Sequence, residues 1–139
     1  MKLTTVSLVC IILLAFFLRI YNIENNPPAV YGDEISFAVN AWSILKTGAD
    51  EYGTSYPLQF RAFDDYKSPI PVYLLVLFYY FGGMNVFTTR LPVVIASTLT
   101  ILGMYLLVKE LFKLSAVGMT RMYLPLLSAL LLVISPWHL

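Results

Sequence analysis

Asp33 and Glu34 stand side by side in Tyr31-Gly32-Asp33-Glu34-Ile35-Ser36-Phe37, a polar opening in an otherwise apolar chain. A carboxylate held at a membrane surface can act as a general base on an acceptor hydroxyl. The same pair also suits a purely structural task, with Asp33 capping a helix and Glu34 adding a favourable first-turn charge. Lys67 is the second candidate. It follows Asp64-Asp65-Tyr66 and precedes Ser68-Pro69, where a lysine can hold a phosphate as a point charge. An interface lysine reaching towards water has the same surroundings. Arg90 comes just ahead of a long apolar run. It can bind an anionic head group or phosphate, anchor the membrane interface, or pair with a loop carboxylate. Tyr52, Tyr56, Phe60, Phe63, Tyr66 and Tyr73 suit either stacking on a sugar or an interfacial aromatic belt.

Other chemistries have little footing. The acidic pairs Asp33-Glu34 and Asp64-Asp65 offer oxygen ligands to a divalent cation, but their spacing is not that of a closed motif, so no metal or other cofactor is expected. His138 is the only histidine, and Cys10 the only cysteine, which excludes an intramolecular disulfide. There is no glycine-rich phosphate loop, nucleophile elbow or CxxC pair.

The elements that must position these residues belong to a membrane. Of 139 residues, 59% are hydrophobic and 12% charged, with a mean hydropathy of +0.77. A soluble domain carries about 25% charged residues. An all-α integral membrane fold is therefore expected. A net charge of +1 gives no reason to expect nucleic acid.

Leu3–Leu18 carries no charge and is ended by Arg19. No small-residue cleavage site follows, so it reads as an uncleaved first span over about residues 3–20. Leu91–Val108 reads as a second span, with Pro92 in its first turn. Met122–Pro136 begins a third, over about residues 122–137. Residues 21–90 then form one long external loop with two amphipathic surface helices. The first is expected from Glu34 to Lys46, capped by Asp33 and ended by Gly48. Ser36, Asn40, Ser43 and Thr47 would form its polar stripe, and Ile35, Ala38, Ala41, Trp42 and Leu45 its apolar face, which makes it amphipathic. Asp50–Gly53 is expected as a turn and Tyr56–Phe60 as extended chain. The second helix is expected at Val72–Phe81, stopped by Gly82-Gly83 and too short to span. Lys109, Lys113 and Arg121 belong in the cytoplasm with Lys2 by the positive-inside rule, which leaves 21–90 extracytoplasmic. A tilted span from Pro69 to Phe87 is the competing topology and would put those basic residues outside.

The succession Asn26-Pro27-Pro28, Tyr31-Gly32-Asp33-Glu34, Asp64-Asp65-Tyr66-Lys67-Ser68-Pro69, Arg90-Leu91-Pro92 and Ser135-Pro136-Trp137-His138 resembles the N-terminal part of the GT-C membrane glycosyltransferases. It is most similar to the family 39 group of protein O-mannosyltransferases and to the related aminoarabinose transferases of lipid A. The resemblance implies transfer of a sugar from a polyprenyl-phosphate donor to an acceptor on the extracytoplasmic face. It implies that Asp33 is the catalytic aspartate and Glu34 its acidic neighbour, and that Lys67 and Arg90 meet the donor phosphate. Some relatives have an acid immediately before the lysine. Here Tyr66 is in that place, and Asp65 is the nearest carboxylate. The family's second external loop and further spans would follow Leu139. The chain is therefore expected to be an N-terminal fragment that lacks a complete donor pocket and is inactive alone.

Two readings of function follow. In the first, the chain is the N-terminal module of an inverting, lipid-phosphate-sugar-dependent glycosyltransferase. Its partners are the donor, a glycan, protein or lipid acceptor, and membrane lipid. In the second it is a non-catalytic assembly or anchoring subunit whose acidic loop binds a partner. A transporter fragment fits less well, because Leu3–Leu18 and Leu91–Val108 carry no Asp, Glu, Lys, Arg or His.

Overall fold

A computed structural model describes residues 2–62, 65–113 and 119–135, and only the backbone of residue 2 and of residues 119–122. It is mostly helical. In order, the elements are α1 (Lys2–Ile20), α2 (Gly32–Thr47), β1 (Phe60–Ala62), β2 (Asp65–Lys67), α3 (Pro69–Gly82), α4 (Val86–Leu111) and α5 (Met119–Val133). They divide into two compact units. One holds α1, α5 and α4 from Val93 onwards. The other runs from Asn22 to Pro92.

In the first unit, Ala15, Ile101, Ala129 and Val133 form a small core, with Ile11, Ile12, Tyr105 and Leu132 against it. The alanines let helix backbones approach closely, as in membrane bundles. Leu3, Val6, Leu13 and Phe17 of α1 point outwards. Arg19 folds back on the last turn of α1 and donates from Nη1 to the Ala15 carbonyl at 2.9 Å, where the helix dipole favours a cation. Two helices, Leu3–Ile20 and Val86–Leu111, are long and apolar enough to cross a membrane. α5 has 15 residues in its described length, fewer than the roughly 20 a span takes. The expected third span runs on into residues 136–137, which lie outside the described residues.

α4 starts five residues ahead of the expected Leu91. The reason is Asn85, whose Oδ1 accepts from the Thr88 N–H at 2.8 Å and from the Thr88 hydroxyl at 3.0 Å. This is an N-cap on the third helical residue. Pro92 therefore sits inside the helix rather than in its first turn, and Arg90 is a helical residue rather than the end of a loop.

The second unit is built on α2 and α3. Its core is Ala38, Ala41, Ile44, Phe60, Val72, Leu75 and Tyr79. α2 is capped by the extended backbone of Tyr31 with no side-chain bond, so Asp33 is a first-turn residue and not the expected cap. Gly48 does end the helix, at φ +75°, and its N–H donates to the Ile44 carbonyl. The expected polar stripe is reversed at its first two positions. Ser36 and Asn40 are buried, whereas Ile35 is 44% exposed. Asn40 tolerates burial because its Nδ2 donates to the Ser36 carbonyl and to Glu51 Oε1, while its Oδ1 accepts from the Glu51 N–H. The loop after α2 thus closes over this face. The expected turn follows, with Asp50 Oδ1 accepting from the N–H groups of Tyr52 and Thr54 at 3.0 and 2.7 Å. Tyr56 has φ +43°, so the stretch expected to be extended bends first.

The all-α expectation also fails locally. β1 and β2 form an antiparallel hairpin with Phe60 opposite Lys67, Arg61 opposite Tyr66 and Ala62 opposite Asp65. Strands of three residues carry too little alternation to be recognised alone. α3 follows, with Pro69 and Pro71 in its first turn, where a missing N–H costs nothing. One face, Val72, Leu75 and Tyr79, is buried. The opposite face, Ile70, Leu74, Leu77 and Phe81, is exposed and equally apolar, so α3 is not the amphipathic helix expected. At its end a Cβ on Gly82 would lie 2.9 Å from the Thr88 hydroxyl, so a larger residue there must displace that side chain.

Phe60, 0% exposed, plugs the core between the hairpin and the helix pair. Phe60→Ala is expected to destabilise this unit by about 3–5 kcal/mol, read as a lowered denaturant midpoint by circular dichroism in detergent.

Candidate functional site

Adjacent residues on a helix point about 100° apart. Asp33 and Glu34, neighbours in sequence, therefore leave the first turn of α2 in different directions and meet different cations.

Glu34 meets Arg90. The Arg90 Nε donates to Glu34 Oε1 at 2.7 Å, and Nη2 to Oε2 at 3.2 Å, a two-pronged pair. Nη1 donates to the carbonyls of Ile23 at 2.8 Å, Pro27 at 3.0 Å and Glu24 at 3.4 Å. Nη2 also donates to the Ala29 carbonyl at 3.2 Å. Arg90 is 8% exposed. Every nitrogen of the guanidinium is thus committed to protein oxygen, and the geometry fits pairing with a loop carboxylate rather than an open anion site. The segment from Ile23 to Ala29 is wrapped around the Arg90 head. Behind it, the Tyr79 hydroxyl lies 2.6 Å from the Thr89 hydroxyl. Burial raises the Tyr79 hydroxyl's pKa against the pull of that hydrogen bond, and the Glu34 charge adds to the rise.

Asp33 meets Lys67. The Lys67 ammonium is 3.0 Å from Asp33 Oδ1 and 2.8 Å from Asp65 Oδ2. Strand alternation puts Asp65 and Lys67 on one face of β2, two residues apart, so this contact is local. Phe60 is directly across the hairpin from Lys67, and the lysine side chain is only 17% exposed, while Asp33 and Asp65 are 69% and 68% exposed. The hydrogen bonds to Asp65 and then Asp33 raise the Lys67 pKa above its ordinary value. The Lys67 hydrogen bond, followed by the Tyr66 N–H and the lysine charge, holds the Asp65 carboxyl below its ordinary value.

All five expected site residues thus fall into two ion-paired groups that share the first turn of α2: Glu34 with Arg90, and Asp33 and Asp65 with Lys67. The aromatic set divides. Phe60 is core, and Tyr73 donates its hydroxyl to the Pro57 carbonyl at 2.9 Å. Tyr52, Tyr56 and Tyr66 are exposed, and the Arg61 guanidinium lies 5.8 Å from the Tyr52 ring centre. Phe63, Asp64 and His138 lie outside the described residues. Among the described residues no group of three or more His, Cys, Asp or Glu side chains comes together. A cleft of about 520 Å³ lies between the end of α3 and the start of α4, lined by Leu77, Phe78, Phe81, Phe87 and Leu91. None of the ion-paired residues lines it. The wrapping of residues 23–29 around Arg90 has no signature in the sequence beyond an arginine placed ahead of an apolar run.

Comparison with protein-family models, with curated proteins and with solved structures finds no match.

Arg90→Met is expected to destabilise the second unit by about 3–5 kcal/mol, because it leaves the Glu34 carboxylate without its counter-ion. Glu34→Gln added to it should recover part of the loss, measured by chemical unfolding. The Lys67 cluster has two pH edges. The lysine's contribution is complete below its ordinary value of 10.5 and is lost as pH rises through its higher folded-state value. That of Asp65 is complete above its ordinary 3.8 and is lost as pH falls through its lower folded-state value. Nitrogen-detected lysine NMR should show Lys67 titrating above 10.5, with Asp65→Asn lowering its midpoint more than Asp33→Asn.

Proposed function

We propose that the chain is the N-terminal module of a membrane glycosyltransferase of the GT-C type, using a polyprenyl-phosphate-linked sugar. The observation that carries this reading is the 3.0 Å approach of Asp33 to Lys67 across 34 positions of sequence. A base for the acceptor and a cation for the leaving phosphate must belong to one site, on opposite sides of the reacting carbon. Two residues assigned those separate roles from sequence motifs are neighbours in the fold. The apolar outer face of α3 supports a location against lipid, where a lipid-linked donor would be presented. In this reading residues 21–90 are extracytoplasmic and the N-terminus is cytoplasmic, because Lys109, Lys113 and Arg121 then share the cytoplasm with Lys2.

The chemistry follows from the roles. The acceptor hydroxyl oxygen attacks the anomeric carbon as its proton passes to Asp33. The bond from that carbon to the phosphate oxygen breaks, and its electron pair stays on the lipid phosphate. Lys67 meets the charge that develops there. Attack opposite the leaving group inverts the anomeric centre. Phosphate is a good leaving group, so no strong general acid is needed. Glu34 and Arg90 are positioning residues: they fix the turn from which Asp33 projects.

In membranes containing the full-length protein, Asp33→Asn should lower transfer from a radiolabelled polyprenyl-phosphate hexose by about 10²–10⁴-fold, the usual contribution of a general base. The variant should remain inserted and folded. Retention of transfer would remove Asp33 from the mechanism. Absence of Lys67-dependent donor binding would favour the assembly-subunit reading.

A further inference from the structure

We infer that Lys67 is held in turn by Asp33 and by the phosphate of the donor, so that arrival of the phosphate frees the base. The inference rests on the reading of Lys67 as the partner of a lipid phosphate.

The two carboxylates on Lys67 are not equivalent. Asp65 is two residues away on the same strand, and its contact is the shorter, 2.8 Å against 3.0 Å. Asp33 reaches over from the first turn of α2 and is 69% exposed. An ammonium has three N–H donors, and the two contacts described use two of them. A phosphate oxygen can take the third. Its negative charge then crowds both carboxylates, and like charges at such distances repel. The partner that yields is the one not tethered beside Lys67, which is Asp33. The helix need not move. Glu34 stays on Arg90, so only the Asp33 side chain turns away, as a carboxylate, and no proton is exchanged.

This has a kinetic consequence. In the donor-free protein the Asp33 carboxylate shares its charge with Lys67 through Oδ1. With phosphate bound, the carboxylate is open. Donor binds first and acceptor second, and the base is free of its counter-ion only when there is a sugar to transfer.

The test is binding of farnesyl phosphate to the same protein as in the transfer assay, solubilised in detergent micelles and followed by calorimetry. Asp33→Asn removes the competitor for Lys67, so binding should tighten by about two- to fivefold, the range an exposed ion pair allows. Lys67→Gln should weaken binding, and in that background Asp33→Asn should bring no gain. If Asp33→Asn leaves binding unchanged or weakens it while Lys67→Gln still weakens it, the exchange is wrong and the donor role of Lys67 stands. If Lys67→Gln leaves binding unchanged, the donor role falls and the exchange with it. Inorganic phosphate run in parallel separates a lipid phosphate from a free anion. Tighter binding of farnesyl phosphate is expected, and equal affinities would overturn the lipid assignment.

Discussion

A buried guanidinium organises the second unit. Arg90 carries a full charge at 8% exposure, a state tolerated only if its donors are satisfied and its charge is met. The protein meets both needs with one stretch of chain. Carbonyls from Ile23 to Ala29 take part of the fork, and Glu34 takes the rest in a two-pronged pair. A segment with two prolines and no regular structure of its own is thereby fixed. The first turn of α2 is tied to the first turns of α4. The direction of Asp33 follows, because it is one residue from an anchored neighbour on a rigid helix.

The second constraint is the hairpin. Lys67 has no long-range reason to face α2 unless β1 and β2 present it. Phe60 secures that hairpin by filling the core between it and the helix pair. Asn40 does the same for the loop between α2 and β1, where a buried amide substitutes for the missing sheet or helix partners of Glu51. Polar residues inside this unit thus act as fasteners for irregular chain. A wet loop can support a defined site because its backbone groups are paired in this way.

Charge and apolarity are sorted with little mixing. Seven of the eight acidic residues lie between 24 and 65, and those at Asp33, Glu34 and Asp65 are each matched to a specific cation. α3, immediately after Lys67, has no charge at all and is apolar inside and out. A helix apolar all round requires apolar surroundings. Such a helix, two residues after an ion-paired cluster, puts charge and uncovered apolar surface side by side.

Composition and run length were sufficient for the two long apolar helices and for the stop at Gly48. Burial of apolar side chains and the positive φ of a helix end are local demands, readable in one stretch of residues. The candidates Asp33 and Lys67 were also legible, by residue type and short motif. Their contact was not, since nothing in either stretch refers to the other. The start of α4 at Val86 is again a local matter, the Asn85 side chain capping Thr88 three residues on, whereas the burial of Ser36 and Asn40 depended on a loop folding over them. Arg90 belonged to three possible roles until the chain from Ile23 to Ala29 wrapped round it. These last outcomes were decided by the tertiary structure, because Glu51 for Asn40 and Ile23–Ala29 with Glu34 for Arg90 are partners distant in sequence, met only once the chain has folded.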